Sequence, residues 1–165
     1  MKLSPQGLHL VAGFEGFVPT PYNDPAGNAT VGYGHLLHLG PVTAEDRAKW
    51  GRLSVSEGLA LLEADTAYYA AAVSKDVRVR LGVIPSHAQA RFDALCSLAY
   101  NIGVAGFWSS SLIREINRKP APRSWLSCGP LWLEWDHAGG KVLPGLLARR
   151  RLEFAIFDAG AYPGV

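Results

Sequence analysis

The sequence predicts a mostly α-helical α+β protein with one small β element. Three observations carry that expectation. From Thr43 onward, apolar residues recur at helical spacing through most of the chain. Turn formers and β-branched residues cluster between Tyr22 and Gly34. Apolar content is 48% against 18% charged, which fits a folded globular protein. At 165 residues there is enough chain for one domain with a real core, or two small lobes sharing a helix.

The elements follow in order. Ser4-Pro5 opens a helix, with Ser as N-cap and Pro at the first helical position. Leu8, Leu10, Val11 and Ala12 give it an apolar side, and Gly13 and Gly16 end it near residue 14. Glu15 then projects from the helix end. The Pro-, Asn-, Asp- and Gly-rich stretch after it has a turn composition. Ala29 to Gly34 reads as a short strand, with Tyr22 opening its hairpin partner. Leu36 to Gly40 reads as a loop. Thr43-Ala-Glu-Asp is a helix start with an acid three residues on. Ser54-Val-Ser-Glu opens a helix over about 56–74 carrying Leu59, Leu62, Ala70 and Val73. Ser86-His-Ala-Gln89 reads as a capping box for a helix over about 86–102, whose Phe92, Leu95, Leu98 and Ala99 share one side. Gly103 to Gly106 should break it, and a helix over about 107–117 follows. Lys119-Pro-Ala-Pro-Arg123 is a loop, and Trp125 to Trp135 and Pro144 to Ala159 are helical. There is no internal repeat and no low-complexity tract.

The chemistry concentrates in GFEGFVPTPYNDPAGNATVGYGH, Gly13 to His35. Eight residues separate Glu15 from Asp24, and five separate Asp24 from Thr30. Glu15 is flanked by Phe14 and Phe17, and a carboxyl among aromatic rings is poorly solvated when ionised. Asp24 sits in the polar turn Tyr-Asn-Asp-Pro-Ala-Gly, where backbone amides keep it charged. Two carboxyl groups in opposite environments divide the labour of acid chemistry on a glycosidic bond.

Composition narrows the rest. No apolar run approaches the roughly 18–20 residues that cross a bilayer, and MKLSPQGLHLVAGF is a poor signal peptide, so a cytoplasmic protein without stable membrane insertion is expected. Residues 1–74 hold four Lys/Arg against seven Asp/Glu, and residues 75–165 hold twelve against seven. A basic second half suits a polyanion, but no groove-reading motif points to nucleic acid. Cys96 lies in an apolar pattern and Cys128 stands beside Gly129-Pro130 in a possible loop; free thiols are expected. His35 and His38 are three apart, but no HExxH accompanies them and no metal is expected. The run Arg149 to Arg151 reads as a solvated helix face or as a cation source for the site.

The run Glu15, Asp24, Thr30, then Val31-Gly-Tyr-Gly-His35, resembles the phage-type lysozymes, the endolysin family known as glycoside hydrolase family 24. That family's pattern is Glu, eight residues, Asp or Cys, five residues, Thr, then Val/Ile-Gly-Tyr/Ile-Gly-His. QARFDALCSLAYNIGVAGFWSSSLIREIN, Gln89 to Asn117, is similar to the family's central helices, and WDHAGGKVLPGLLARRRLEF, Trp135 to Phe154, to its C-terminal block. The likeness covers nearly the whole chain.

The resemblance implies a lysozyme-like α+β fold over residues 1–165, a single catalytic domain. A small β-hairpin lobe (about 14–56) and a larger helical lobe (about 75–165, with helix 4–14) would be joined by the long helix 56–74 and flank a cleft. It implies a muramidase that hydrolyses the β-1,4 bond between N-acetylmuramic acid and N-acetylglucosamine in peptidoglycan, with inversion. Glu15 would be the general acid, Asp24 the support for developing positive charge, and Thr30 the holder of the attacking water. Asn101 and Trp135 match positions near the cleft, while Tyr33 either faces the sugar or packs inward. His35 would pair with Asp65 across the lobes, and Arg149, placed by its distance from Phe157, would lie near Glu15. The implied partner is peptidoglycan, reached from the host cytoplasm after a holin permeabilises the membrane; a monomer without metal or organic cofactor is expected. A lytic transglycosylase using only Glu15 and a non-catalytic wall-binding module are the alternatives.

Overall fold

The computed structural model describes residues 1–77, 81, 85–118 and 125–163. It forms two compact units, Leu8–Ala67 on one hand and Met1–Gly7 with Tyr68–Val165 on the other. Helices α1 (Pro5–Glu15) and α3 (Val55–Asp76) each begin in one unit and end in the other.

The start of α1 obeys its sequence. Ser4 accepts a hydrogen bond at Oγ from the Gly7 amide at 3.0 Å, and Pro5 supplies the first helical residue. The Leu8–Ala67 unit then holds a three-stranded antiparallel sheet in the order β1 (Val18–Asn23), β2 (Ala29–Gly32), β3 (His35–His38). Two expectations are corrected here. The segment after His35 is a third strand rather than a loop. Tyr33 and Gly34 form the turn between β2 and β3 rather than prolonging a strand. The physical reason is backbone: Gly32 and Gly34 sit at φ 68° and 89°, in the region that reverses a chain. Helix α2 (Ala44–Trp50) carries the full capping box at Thr43 and Asp46. Ser54 caps α3, its Oγ accepting from the Glu57 amide at 3.3 Å while Glu57 Oε2 accepts from the Ser54 amide at 2.7 Å.

The second unit is built on α4 (Pro85–Ser109) packed along α7 (Pro144–Ala159). Phe92, Leu95, Leu98, Ile156 and Phe157 are buried there, and the rings of Trp125 and Trp132 meet Phe157 at 5.1 and 5.0 Å. Around this pair lie α5 (Ser111–Arg118), a 3-10 turn at Leu126–Cys128, α6 (Gly129–Leu133) and a two-stranded hairpin, β4 (His137–Ala138) with β5 (Lys141–Val142).

The break expected at the glycines forms: Gly103, at φ 77° and ψ 156°, is non-helical, and α4 is two helical segments meeting at this kink, the second running to Ser109. Two other sequence expectations shift. Ser86 lies inside α4 and caps nothing; Gln89 turns instead to Lys2 O (3.0 Å) and Asp93 Oδ1 (2.8 Å). The helix expected over Trp125 to Trp135 divides into the 3-10 turn and α6, because Pro130 starts a helix more readily than it continues one. The loop read at 119–123 lies outside the described residues. Cys96 and Cys128 are both buried and not joined in a disulfide, Cys128 within the 3-10 turn rather than a loop. Burial first, and then the Asp93 charge, push the Cys96 thiol up. Among the described residues no helix is long and apolar enough to cross a membrane, and no cluster of ligands could hold a metal.

Candidate active site

In the Leu8–Ala67 unit, Glu15 is the last residue of α1 and is exposed. The ring enclosure expected of it does not form. Successive helical side chains diverge by about 100°, and the Phe17 ring packs at a tilt of 41° on Tyr33, centroids 5.1 Å apart, instead.

Asp24 occupies the turn after β1. Its Oδ1 accepts from the amides of Ala26 (2.9 Å) and Asn28 (2.8 Å), and Asn28 Nδ2 lies 3.4 Å from Oδ2. The Asn28 amide, opposed by partial burial and helped by the Asn28 side chain and the Ala26 and Gly27 amides, holds this carboxyl below its ordinary range. Asp24 is a carboxylate at neutral pH.

Thr30, on β2, is only 3% exposed. Its Oγ1 donates to Asn28 O at 3.1 Å. With its hydrogen so committed, the hydroxyl presents acceptor lone pairs to any further partner. Asn28 therefore anchors both groups: its amide fixes Asp24 and its carbonyl fixes Thr30. The same carbonyl accepts from the Asp24 amide at 2.9 Å, and Asn28 Oδ1 accepts from the Gly40 amide at 3.1 Å. Sequence reasoning passed over Asn28; the signal was its place in an Asx turn between the two functional residues.

Tyr22 was missed as well. It is the direct cross-strand partner of Thr30 and is partly buried. Burial first, then the charge of Asp24, then that of Glu15, raise its phenol above the usual value. The fields of both acids therefore meet at this one ring.

Tyr33 is 9% exposed and lies between Phe17 and the backbone of Gly58. It packs inward, and the sugar-facing alternative is withdrawn. His35 Nδ1 is 2.9 Å from Asp65 Oδ2 and 3.0 Å from Oδ1. Both belong to the Leu8–Ala67 unit, so the pair fastens β3 to α3 inside that unit instead of spanning two lobes.

The remaining candidates belong to the other unit. Asn101 is exposed, and its Oδ1 accepts from Arg150 Nη2 at 3.0 Å. The Trp135 ring packs on Gly106, and its buried Nε1 has no hydrogen-bond partner among the described residues. Arg149 is buried, with Nε donating to Glu153 Oε1 at 3.0 Å and Nη2 to Ser97 O at 3.1 Å. Arg150 Nε lies 3.0 Å from Glu153 Oε2. Glu153, fully buried, also accepts from Ser97 Oγ (2.6 Å) and Trp132 Nε1 (3.1 Å). The arginine run is thus no solvated face: two of its three members are interior, and Arg151 alone is exposed.

Residues 12–153 match the family model described as phage lysozyme. An endolysin of Acyrthosiphon pisum secondary endosymbiont phage 1 is 32% identical over 165 residues, covering 96% of this chain and 99% of its own. The solved endolysin from Escherichia coli O157:H7 phage FAHEc1 superposes with a TM-score of 0.78 at 31% identity, covering 99% of this chain and 97% of its own. The muramidase domain of SpmX from Asticaccaulis excentricus gives 0.74 at 28% identity, over 94% of this chain and 97% of its own.

Proposed function

The chain belongs to the phage lysozyme family, and from that membership we propose how its hairpin carries out the reaction of a muramidase. It is a lysozyme of the endolysin type, acting on peptidoglycan. Glu15 protonates the leaving oxygen of the β-1,4 bond between N-acetylmuramic acid and N-acetylglucosamine. Its exposure at the end of α1 leaves it open to substrate. A water donates one hydrogen to Thr30 Oγ1 and the other to Asp24, which directs an oxygen lone pair at the anomeric carbon. Asp24 also offsets the positive charge that grows on the sugar. Attack from the face opposite the leaving group inverts the configuration.

The observation that carries this reading is the shared anchor at Asn28. One residue holds Asp24 ionised and turns Thr30 into an acceptor, the two properties an oriented water requires. Thr30 is not a base; its contribution is position.

Asn101 and Trp135 contact the glycan in this proposal, the unpartnered indole N–H of Trp135 finding its acceptor there. Arg149 is engaged by Glu153 within its own unit. The protein acts as a monomer without metal or organic cofactor. It is made in the host cytoplasm and reaches the wall once a holin has opened the membrane.

Product analysis on purified peptidoglycan tests the reaction. Wild type releases muropeptides with a free reducing end, one water heavier than the 1,6-anhydro products of a transglycosylase. Glu15→Gln loses turnover by at least about 10³-fold at an unchanged melting temperature. Anhydro products, or substantial activity in Glu15→Gln, would overturn the assignment.

A further inference from the structure

Tyr22 and Thr30 are direct partners across the β1–β2 ladder, so their side chains share one face of the sheet with Cβ atoms about 5 Å apart. Asp24 follows Tyr22 by two residues, and side chains two apart along an extended chain point the same way. Tyr22 is therefore placed beside the two groups that hold the attacking water. Its ring is partly buried, yet among the described residues no protein hydrogen bond to its hydroxyl is seen, unlike Asp24 and Thr30. A phenol fixed at such a place with an uncommitted O–H has its donor available to whatever occupies the site.

We propose that Tyr22 is a substrate-contacting residue whose hydroxyl donates a hydrogen bond to an oxygen of the sugar ring being cleaved, between Glu15 and Asp24. This rests on the muramidase reading above. The proton stays on the phenol because burial, Asp24 and Glu15 all disfavour the phenolate. Tyr22 is thus a donor throughout the cycle, where Asp24 and Thr30 are acceptors. Neither of those two can offer a hydrogen to the saccharide, and Glu15 spends its own on the leaving oxygen.

The test has two arms on the full chain. In the first, Tyr22→Phe removes only the oxygen. The expected result is a fall of about tenfold in kcat on purified peptidoglycan, the worth of one transition-state hydrogen bond, with the melting temperature within about 2 °C of wild type. In the second, the Tyr22 phenol is titrated by ring 13C NMR in wild type, Asp24→Asn and Glu15→Gln, which leaves Tyr22 itself intact. Its titration midpoint should fall in both variants. Wild-type kcat in a well-folded Tyr22→Phe would overturn the contact, and a midpoint unmoved in both acid variants would overturn its placement. A wild type inactive on the wall would instead sink the muramidase reading, while the NMR arm would still decide where Tyr22 stands.

Discussion

Asn28 shows how a single residue prepares a site it does not itself complete. Its amide and carbonyl fix Asp24 and Thr30 through atoms that every residue possesses, so the arrangement depends on the turn more than on the side chain. Asp24→Asn should accordingly keep the turn's outline but lose the charge, and activity should drop less than in Glu15→Gln, which removes the proton donor. The lowered Asp24 value also carries a sign. Its folded value lies below 3.8, so its stabilising contribution is present above 3.8 and disappears as pH falls through the lower value. The melting-temperature gap between wild type and Asp24→Asn, measured from pH 7 down to pH 2, should therefore close in acid. Asp24's surroundings were legible in sequence because an Asx turn is a local event. The exposure of Glu15 was not, because neighbouring rings in sequence diverge around a helix. Nor was the interior fate of Arg149 and Arg150, which is decided by Glu153 and Ser97, the latter more than fifty residues away. Glu153→Gln leaves two buried guanidinium groups without their carboxylate, and chemical denaturation should register a loss of about 3–5 kcal/mol.

Elements announced by capping chemistry were the most readable. Thr43-Ala-Glu-Asp gave α2 its true start, and Pro144 and Gly160 bounded α7 as read. Where the signal was tertiary, reading failed: β3 has no alternating pattern of its own, and it exists because β2 offers it a partner. The cap of α2 is joined to that strand by His38, whose Nε2 lies 2.8 Å from Asp46 Oδ2. The Thr43 amide and then His38 hold Asp46 down at about 2, and the Leu39 carbonyl and then Asp46 raise His38 above 6.5. Asp46's contribution is complete above 3.8 and fades toward pH 2; His38's is complete below 6.5 and is lost as pH rises through its raised value. Asp46→Asn should thus cost most melting temperature between about pH 4 and 6.5 and less on either side; a gap independent of pH would separate the two groups. Helix α3 offers a contrast. Gly58 sits in the first turn of α3, where Ala would gain at most about 1 kcal/mol of propensity. Its absent Cβ would stand 2.5 Å from Phe17 Cε2 and 3.3 Å from Tyr33 Cε2. Both rings are packed against each other, so crowding wins, and Gly58→Ala should lower stability by about 1–3 kcal/mol in thermal melts.

At the scale of the whole molecule, charge and burial must be read together. The second half of the chain holds twelve Lys/Arg against seven Asp/Glu, which by count alone marks it as the side attracted to an anionic wall. Three of those cations are spent inside. Arg91 donates to the carbonyls of Leu81, Phe157 and Asp158, and Arg149 and Arg150 close on Glu153. They hold the fold and offer a polyanion little. The cations that an anionic wall would meet are exposed residues such as Arg151, Arg114 and Lys141. The consequence separates neighbours in one run of sequence. Arg151→Glu should weaken binding to isolated sacculi, by less at high salt than at low, because exposed charges are screened within about 10 Å at 0.1 M. Its melting temperature should stay within about 1–2 °C of wild type. Arg150→Glu, one residue away, sets two carboxylates together in the interior and should fail to yield a folded protein at all. Sedimentation with sacculi across a salt series, alongside thermal melts, resolves the two roles. Equal melting temperatures for Arg151→Glu and Arg150→Glu would show that the run is the uniform solvated face its composition suggests.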